Sequence, residues 1–530
     1  MYDLLIKGGL IVDGSGKPPY IADVAVQSNE ISLISKCIAQ PAVRVVDASG
    51  LIVSPGFIDV HTHDDLVLFS DPYNIPKLLQ GVTTVVVGNC GFGVCPYSND
   101  TISSLVDYAQ PVLGNVSPEQ VFSNFESYAK ALDDLEKGLN IAALLAHGAV
   151  YIAENGFSNS PMDNTQIASA QSQVQNAMEH GAVGLSAGFM YAPGCYCDTA
   201  SMRPLTDIVA EYNGLYCVHL RSESEFIREA IDEVVDIVKN SRTAAHISHF
   251  KNVGKQYRGN IKHLVAQIEQ SITNGVDLSY DMYPYTAGST TMSILFPNYA
   301  LTRGVNGCLQ LLQDHNMRRH LEDELRHMWK GEDNLSLLCG WENVIISSLH
   351  TEANSEFIGK SVADIAAIQN ISPETACTKL FMKERGKITI LLNHIDKQDM
   401  HTVISSKPCI VASDGIPVGE MPHPRLYGTF PAFIRTFVRE NRLLSIEAAI
   451  EKITSMPAKR FGLGKRGYLC KGYAADIVVF DPDAIADRAT YSNPLKPAKG
   501  ISHVIVSGII VSENGTITGK KPGKFIHHEQ

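Results

Sequence analysis

The segment GFIDVHTHDD, residues 56 to 65, ends an apolar run in two histidines one residue apart, with two aspartates after them. Residues i and i+2 of an extended chain point to the same side, so His61 and His63 can face one ion together. Other apolar runs close in the same manner. Cys90 ends TTVVVGNC, His147 ends IAALLAH, and His219 and Arg221 end LYCVHLR. His249 ends TAAHISH and Asp414 ends CIVASD. Imidazole, thiolate and carboxylate are the ordinary ligands of zinc. Any one of these residues could equally be a hydrogen-bonded or packing group. The signal is that several ligand types close successive apolar runs.

Ligands so far apart in sequence need a scaffold that gathers strand ends. Strands are predicted at 57–63, 83–90, 141–148, 182–188, 215–221, 243–250, 277–285 and 409–415. Amphipathic stretches such as SEFIREAIDEVVDIVKN lie between several of them. Apolar strands separated by helices imply parallel pairing with crossovers, hence an α/β chain and a (β/α)8 TIM barrel. In that barrel the C-terminal strand ends share one mouth. The two ends of the chain read differently. LLIKGGLIVDGSG, IADVAVQSNEISLI, GYAADIVVFDPD and ISHVIVSGIIVSENG are short strands joined by turns. They predict a small β-sandwich built from both termini, residues 1–54 and 456–530, around a barrel over 55–455. The interval from Tyr285 to Cys409 is too long for one crossover. Its charged, helical stretch predicts a subdomain of about residues 290–345, inserted between barrel strands 7 and 8 where loops wall a substrate site.

Bulk properties narrow the partners. Net charge is -12, which argues against non-specific nucleic-acid binding. The N-terminus has no signal-peptide pattern, and no apolar run approaches the roughly 20 residues of a membrane span. Eleven scattered cysteines fit reduced thiols, so a cytoplasmic protein is expected. Cys195 and Cys197, in GCYCD, are too close for an ordinary bridge.

The motifs carry a closer resemblance. GFIDVHTHDD, GVTTVVVGNCGFG, GLSAGFMYAPG, VHLRSES, ISHFK, DMYPYTAGST, ASDGIP and HPRLYGTF, from about residue 56 to 430, resemble the amidohydrolase superfamily. Within it they resemble the N-acyl-D-amino-acid deacylases, or D-aminoacylases, and GYAADIVVFDP extends the match toward the C-terminus. The resemblance implies that Cys90, His219 and His249 bind a tightly held Zn2+. It places His61, His63 and Asp414 around a second, weaker position, with Cys90 as a bridge. Many relatives bridge with a carboxylated lysine on the fourth strand, but AVGLSAG has none. His147 is left as a supporting group or a pocket wall.

A metal in such a site acidifies water and polarises an amide carbonyl. Asp414 is the candidate catalytic base and acid, with pure ligation as the other reading. An α-carboxylate on the substrate needs cations and hydroxyls. Lys251 and Tyr283 come first, then Tyr191 and Arg425, while Arg221 binds substrate or buttresses a ligand. Tyr283, Ser289 or a backbone N–H could stabilise the tetrahedral oxygen. Phe92 and Met190 could line an apolar pocket. The expected reaction is zinc-dependent hydrolysis of N-acyl-D-amino acids by a monomer or small homo-oligomer, with D-selectivity implied by the resemblance alone. The alternatives are an amidohydrolase for cyclic amides or D-peptides, and a non-catalytic scaffold.

Overall fold

In the computed structural model, which describes residues 1–528, the apolar runs of the middle become parallel strands. One sheet takes Phe57–Asp59, Val82–Val87 and Asn140–Ala143. A six-stranded sheet takes Leu145–Ala146, Gly184–Gly188, Leu215–His219, Ala244–Ile247, Leu278–Met282 and Cys409–Val411. Leu144 alone separates Asn140–Ala143 from Leu145–Ala146, so one stretch of chain serves both sheets. At the opposite edges the Asp414 N–H donates to the His61 carbonyl at 2.7 Å, and the His63 N–H donates to the Gly415 carbonyl at 2.9 Å. The fold is therefore mixed α/β, built on a barrel-like parallel sheet.

Successive side chains of a strand point to opposite faces, which divides these strands between two cores. Ile58, Val86, Ala142, Leu215, Cys217 and Ile410 pack together in one cluster. Val85, Val87, Ile141, Tyr216 and Val218 join another that contains helical residues such as Ile231 and Val234. Strands buried on both faces lose the polar–apolar alternation, hence the unbroken VTTVVV of Val82–Val87. The helix Ile227–Ser241 buries Ile227, Ala230, Ile231, Val234 and Val238, the three- and four-residue spacing of one helical face.

The two ends of the chain meet in one nine-stranded sheet. Its seam is Ile52–Pro55 running antiparallel to Ile477–Phe480. Leu4, Ile6, Val24, Val46, Ile477 and Ile505 form its core. A third unit lies between Leu278–Met282 and Cys409–Val411. There Thr389–Asn393 pairs antiparallel with both Ala287–Thr291 and Val344–Ser348. The charged stretch DHNMRRHLEDELRHMWK supplies the helix His315–Glu324. The three strands are not legible in the sequence, because each is five residues long and pairs with a distant segment. Among the described residues no helix is long and apolar enough to cross a membrane.

One buried ion pair ties the sheet edges together. Lys77 Nζ lies 2.7 Å from Asp59 Oδ2 and donates to Ser413 Oγ at 2.6 Å. Asp59 Oδ1 accepts from the Ser413 N–H at 2.9 Å, so the first strand grips the turn that carries Asp414. Removing one partner leaves the other charge buried and unpaired. We expect Lys77→Met to cost about 3–5 kcal/mol, read as a lower denaturant midpoint. An unchanged midpoint would show that the pair does not hold these edges.

Candidate metal centre

Cys90 sits in a tight turn, Asn89–Gly91, just past Val82–Val87. Its φ is 54°, a left-handed conformation, and Gly88 and Gly91 on either side also have positive φ. Gly88 has no substitute there, since a Cβ would come 2.2 Å from the Leu144 carbonyl oxygen. His249 and Asp414 likewise turn out of their strands, with φ of 34° and 48°. Such conformations cost a residue with a Cβ about 1–3 kcal/mol each. Most strands thus end earlier than the apolar runs suggest, and the candidate ligands follow in the turns, except His219, the last residue of Leu215–His219.

The turns bring those side chains together. Cys90 Sγ is 3.2 Å from His61 Nε2 and 3.5 Å from His249 Nε2. Candidate ligand atoms of Cys90, His219 and His249 lie within 4.8 Å of one another. The same holds for His61, His63 and Cys90, and for His61, His249 and Asp414. Asp414 Oδ1 is 3.4 Å from His61 Nε2 and 3.3 Å from His63 Nε2. All six residues are buried. His219 has no hydrogen-bond partner on either ring nitrogen, and His63 Nδ1 has none. Bonds of about 2.0–2.3 Å to one tetrahedral ion put ligands about 3.3–3.8 Å apart. The clusters therefore fit one or two metal ions.

Electrostatics favour the ionised thiol and carboxylate. Burial works to lower His61, His63 and His249, but the neighbouring anions outweigh it and raise all three, so a metal would displace their protons. Burial pushes the Cys90 thiol up, but the charges of His61 and His249 and the contact with His249 outweigh it and hold the thiol well below its usual range. For Asp414 burial is likewise outweighed, chiefly by Arg425, whose Nη2 is 2.9 Å from Asp414 Oδ2. Two carboxylates absent from the sequence reading complete the setting. Asp281 lies 3.0 Å from His61 Nδ1 and 3.0 Å from His246 Nε2, and accepts from the His249 N–H. It fixes the His61 ring with Nε2 free for a metal. Glu223 accepts from Lys251 Nζ at 2.5 Å and lies 3.2 Å from His249 Nδ1. Asp281 did leave a trace: an acid inside the apolar run LSYDM.

A cleft opens onto the cluster. Lys251, Tyr283, Tyr191 and Ser289 line it together with His63, Cys90, His219, His249 and Asp414, as do Phe92 and Met190. The Tyr191 hydroxyl is 3.0 Å from Thr290 Oγ1. Arg425 stands behind Asp414, stacked 4.5 Å over the Tyr283 ring. Arg221 is not brought to the cleft. It pairs with Glu233 and donates to the carbonyls of Cys195 and Cys197. His147 is also apart, packed against Tyr151 and Phe189, and burial pushes its pKa down to about 4. His394 lines the cleft, although nothing in its sequence context marked it.

A profile of the amidohydrolase family matches residues 44–189 and 354–512. N-acyl-D-glutamate deacylase of Alcaligenes xylosoxydans xylosoxydans is 32% identical over 527 residues, covering 99% of this chain and 97% of that protein. The chain belongs to the amidohydrolase family. D-aminoacylase of the same organism is also 32% identical, over 99% of this chain and 97% of its own length. The crystal structure of N-acyl-D-glutamate deacylase from Bordetella bronchiseptica, complexed with zinc and a phosphonate inhibitor, superposes with a TM-score of 0.86 at 32% identity. That match covers 99% of both chains. The amidohydrolase described here is thus a metal-dependent hydrolase of amide bonds, related to the D-aminoacylases.

Ligand-orienting partners typically set metal affinity over about 10–100-fold. For this amidohydrolase we expect Asp281→Asn to weaken metal retention by about that factor, measured by competition with a chelator. Unchanged retention would mean that His61 needs no orienting carboxylate.

Proposed function

We propose that this amidohydrolase is a zinc-dependent deacylase of N-acyl-D-amino acids, releasing a carboxylate and a free D-amino acid. The observation that carries the reading is a single cleft. It joins a thiol, imidazoles and a carboxylate at metal-ligand spacing to a lysine and a tyrosine suited to an α-carboxylate. D-selectivity rests on the names of the relatives. We assign Cys90, His219 and His249 to the tighter zinc, and His61, His63 and Asp414 to the weaker position. We read the two parallel sheets as one closed (β/α)8 barrel over residues 55–455. The terminal sheet, 1–54 and 456–530, is read as a β-sandwich, and the protein as cytoplasmic with a small-molecule substrate.

Zinc held there would acidify water and polarise the amide carbonyl. The remaining steps belong to the chain. Asp414, kept ionised by Arg425 despite its burial, takes a proton from the attacking water and returns it to the leaving nitrogen. Lys251 and Tyr283 hold the α-carboxylate, while Arg425, outside the cleft lining, stacks on the Tyr283 ring and pairs with Asp414. We assign Ser289, which lines the cleft, the donor role toward the reacting group. Tyr191 closes the wall beside His219, its ring 4.9 Å away edge-on.

The rest of the cleft indicates which side chain is accepted. Val112, Ile294, Leu335, Leu392 and Ile416 line it. Among the described residues its only lysine or arginine is Lys251, already paired with Glu223. A second carboxylate on the substrate would be desolvated without a free cation, so the preferred side chain is uncharged. The zinc-loaded protein should release amine from N-acetyl-D-leucine at least ~100-fold faster, in kcat/KM, than from N-acetyl-D-glutamate or N-acetyl-L-leucine. Asp414→Asn should lower kcat about 100- to 10,000-fold. Faster opening of a hydantoin ring, or full activity in that variant, would contradict the assignment.

A further inference from the structure

His394 is used by none of the roles assigned above. It follows directly on the strand Thr389–Asn393 of the inserted sheet. That strand lies against Ala287–Thr291, with Ala287 opposite Asn393 and Gly288 opposite Leu392. The register carries the imidazole to the backbone of Gly288, on the wall shared with Ser289. A Cβ at Gly288 would come 3.1 Å from His394 Cε1 and 3.2 Å from the Tyr283 hydroxyl oxygen. Glycine at this position therefore lets the imidazole and the phenol converge on one spot.

The ring is conspicuous for what it lacks. His394 is half-buried as a residue, yet both ring nitrogens are sealed from solvent and neither has a hydrogen-bond partner in the protein. Buried polar atoms are normally paired, and one left unpaired in a cleft calls for a ligand that completes it. Burial, reinforced by the positive charge of Lys251, pushes its pKa down to about 3, so the free ring is neutral and carries one N–H donor. The charged groups around it are the pair Lys251 with Glu223, Arg425, which pairs with Asp414, and the imidazole of His249. A carboxylate entering between the two ion pairs meets little net charge from them. Its lone pairs must be satisfied largely by individual donors.

We propose that His394 binds the substrate, its imidazole N–H donating to the α-carboxylate beside Lys251 and Tyr283. This rests on the deacylase reading and adds a specificity residue supplied by the inserted sheet rather than by the parallel strands. Such a contact serves binding and leaves the reacting bond untouched, so its loss acts on KM.

The test compares wild type with His394→Leu and His394→Gln, all zinc-loaded, on N-acetyl-D-leucine and on N-acetyl-D-leucinamide, which lacks the carboxylate. A hydrogen bond to a charged group corresponds to about 10- to 100-fold in binding. His394→Leu should raise KM for the acid by about that factor, with kcat within about twofold. His394→Gln should recover part of the loss. The penalty on the amide should be clearly smaller, because its carbonyl oxygen accepts only an uncharged hydrogen bond. Leucine removes an unsatisfied polar group, so the thermal midpoint should hold or rise; a fall in stability with KM unmoved would reveal a purely structural role and overturn the proposal. An equal penalty on acid and amide would also overturn it, placing the contact at the side chain or acyl group. A wild type that releases no amine from any N-acyl-D-amino acid defeats the deacylase reading itself, and that result needs no variant.

Discussion

Three residues with side chains hold left-handed backbone conformations at the mouth of the parallel strands: Cys90, His249 and Asp414. Strain of this kind persists only where the surroundings enforce it. Here it converts an extended strand into a turn that aims a sulfur, an imidazole and a carboxylate at one point. The gathering concentrates buried thiol and carboxylate among four histidines in a place water hardly reaches. Buried charges persist when they are paired or bound to metal. One or two divalent cations are the partners that suit these groups. The buried Lys77–Asp59 pair and the backbone bonds between residues 61–63 and 414–415 keep the two edges in register around it.

The molecule separates chemistry from recognition. The candidate metal ligands all come from the ends of the parallel strands, where packing on both faces limits movement. Much of the wall that would meet the substrate comes from the inserted antiparallel sheet, through Ser289, Thr290, Leu392 and His394. An insertion can change its side chains without disturbing the ligands behind it. That division suits a family in which relatives of similar identity to this chain are named for N-acyl-D-glutamate and for N-acyl-D-aspartate.

What the sequence discloses follows the same division. The six candidate ligands were legible because each closes an apolar run, and a polar ligand type at the end of a buried strand is locally conspicuous. The seam between Ile52–Pro55 and Ile477–Phe480 was visible only as two stretches of similar style, since pairing partners far apart leave no local mark. Glu223 and His394 were hidden for a related reason. Each looks like an ordinary loop residue until the fold sets it against Lys251 or Gly288. Arg221 erred in the opposite direction. It shares the strand-end pattern with His219, yet its guanidinium is consumed by Glu233 and two carbonyls.

The claim most exposed to test is that the Cys90 sulfur reaches the metal. X-ray absorption at the zinc edge of the zinc-loaded protein reads this directly. The account predicts a sulfur scatterer at about 2.3 Å accompanied by nitrogen or oxygen at about 2.0–2.1 Å. A first shell made only of nitrogen and oxygen would contradict it.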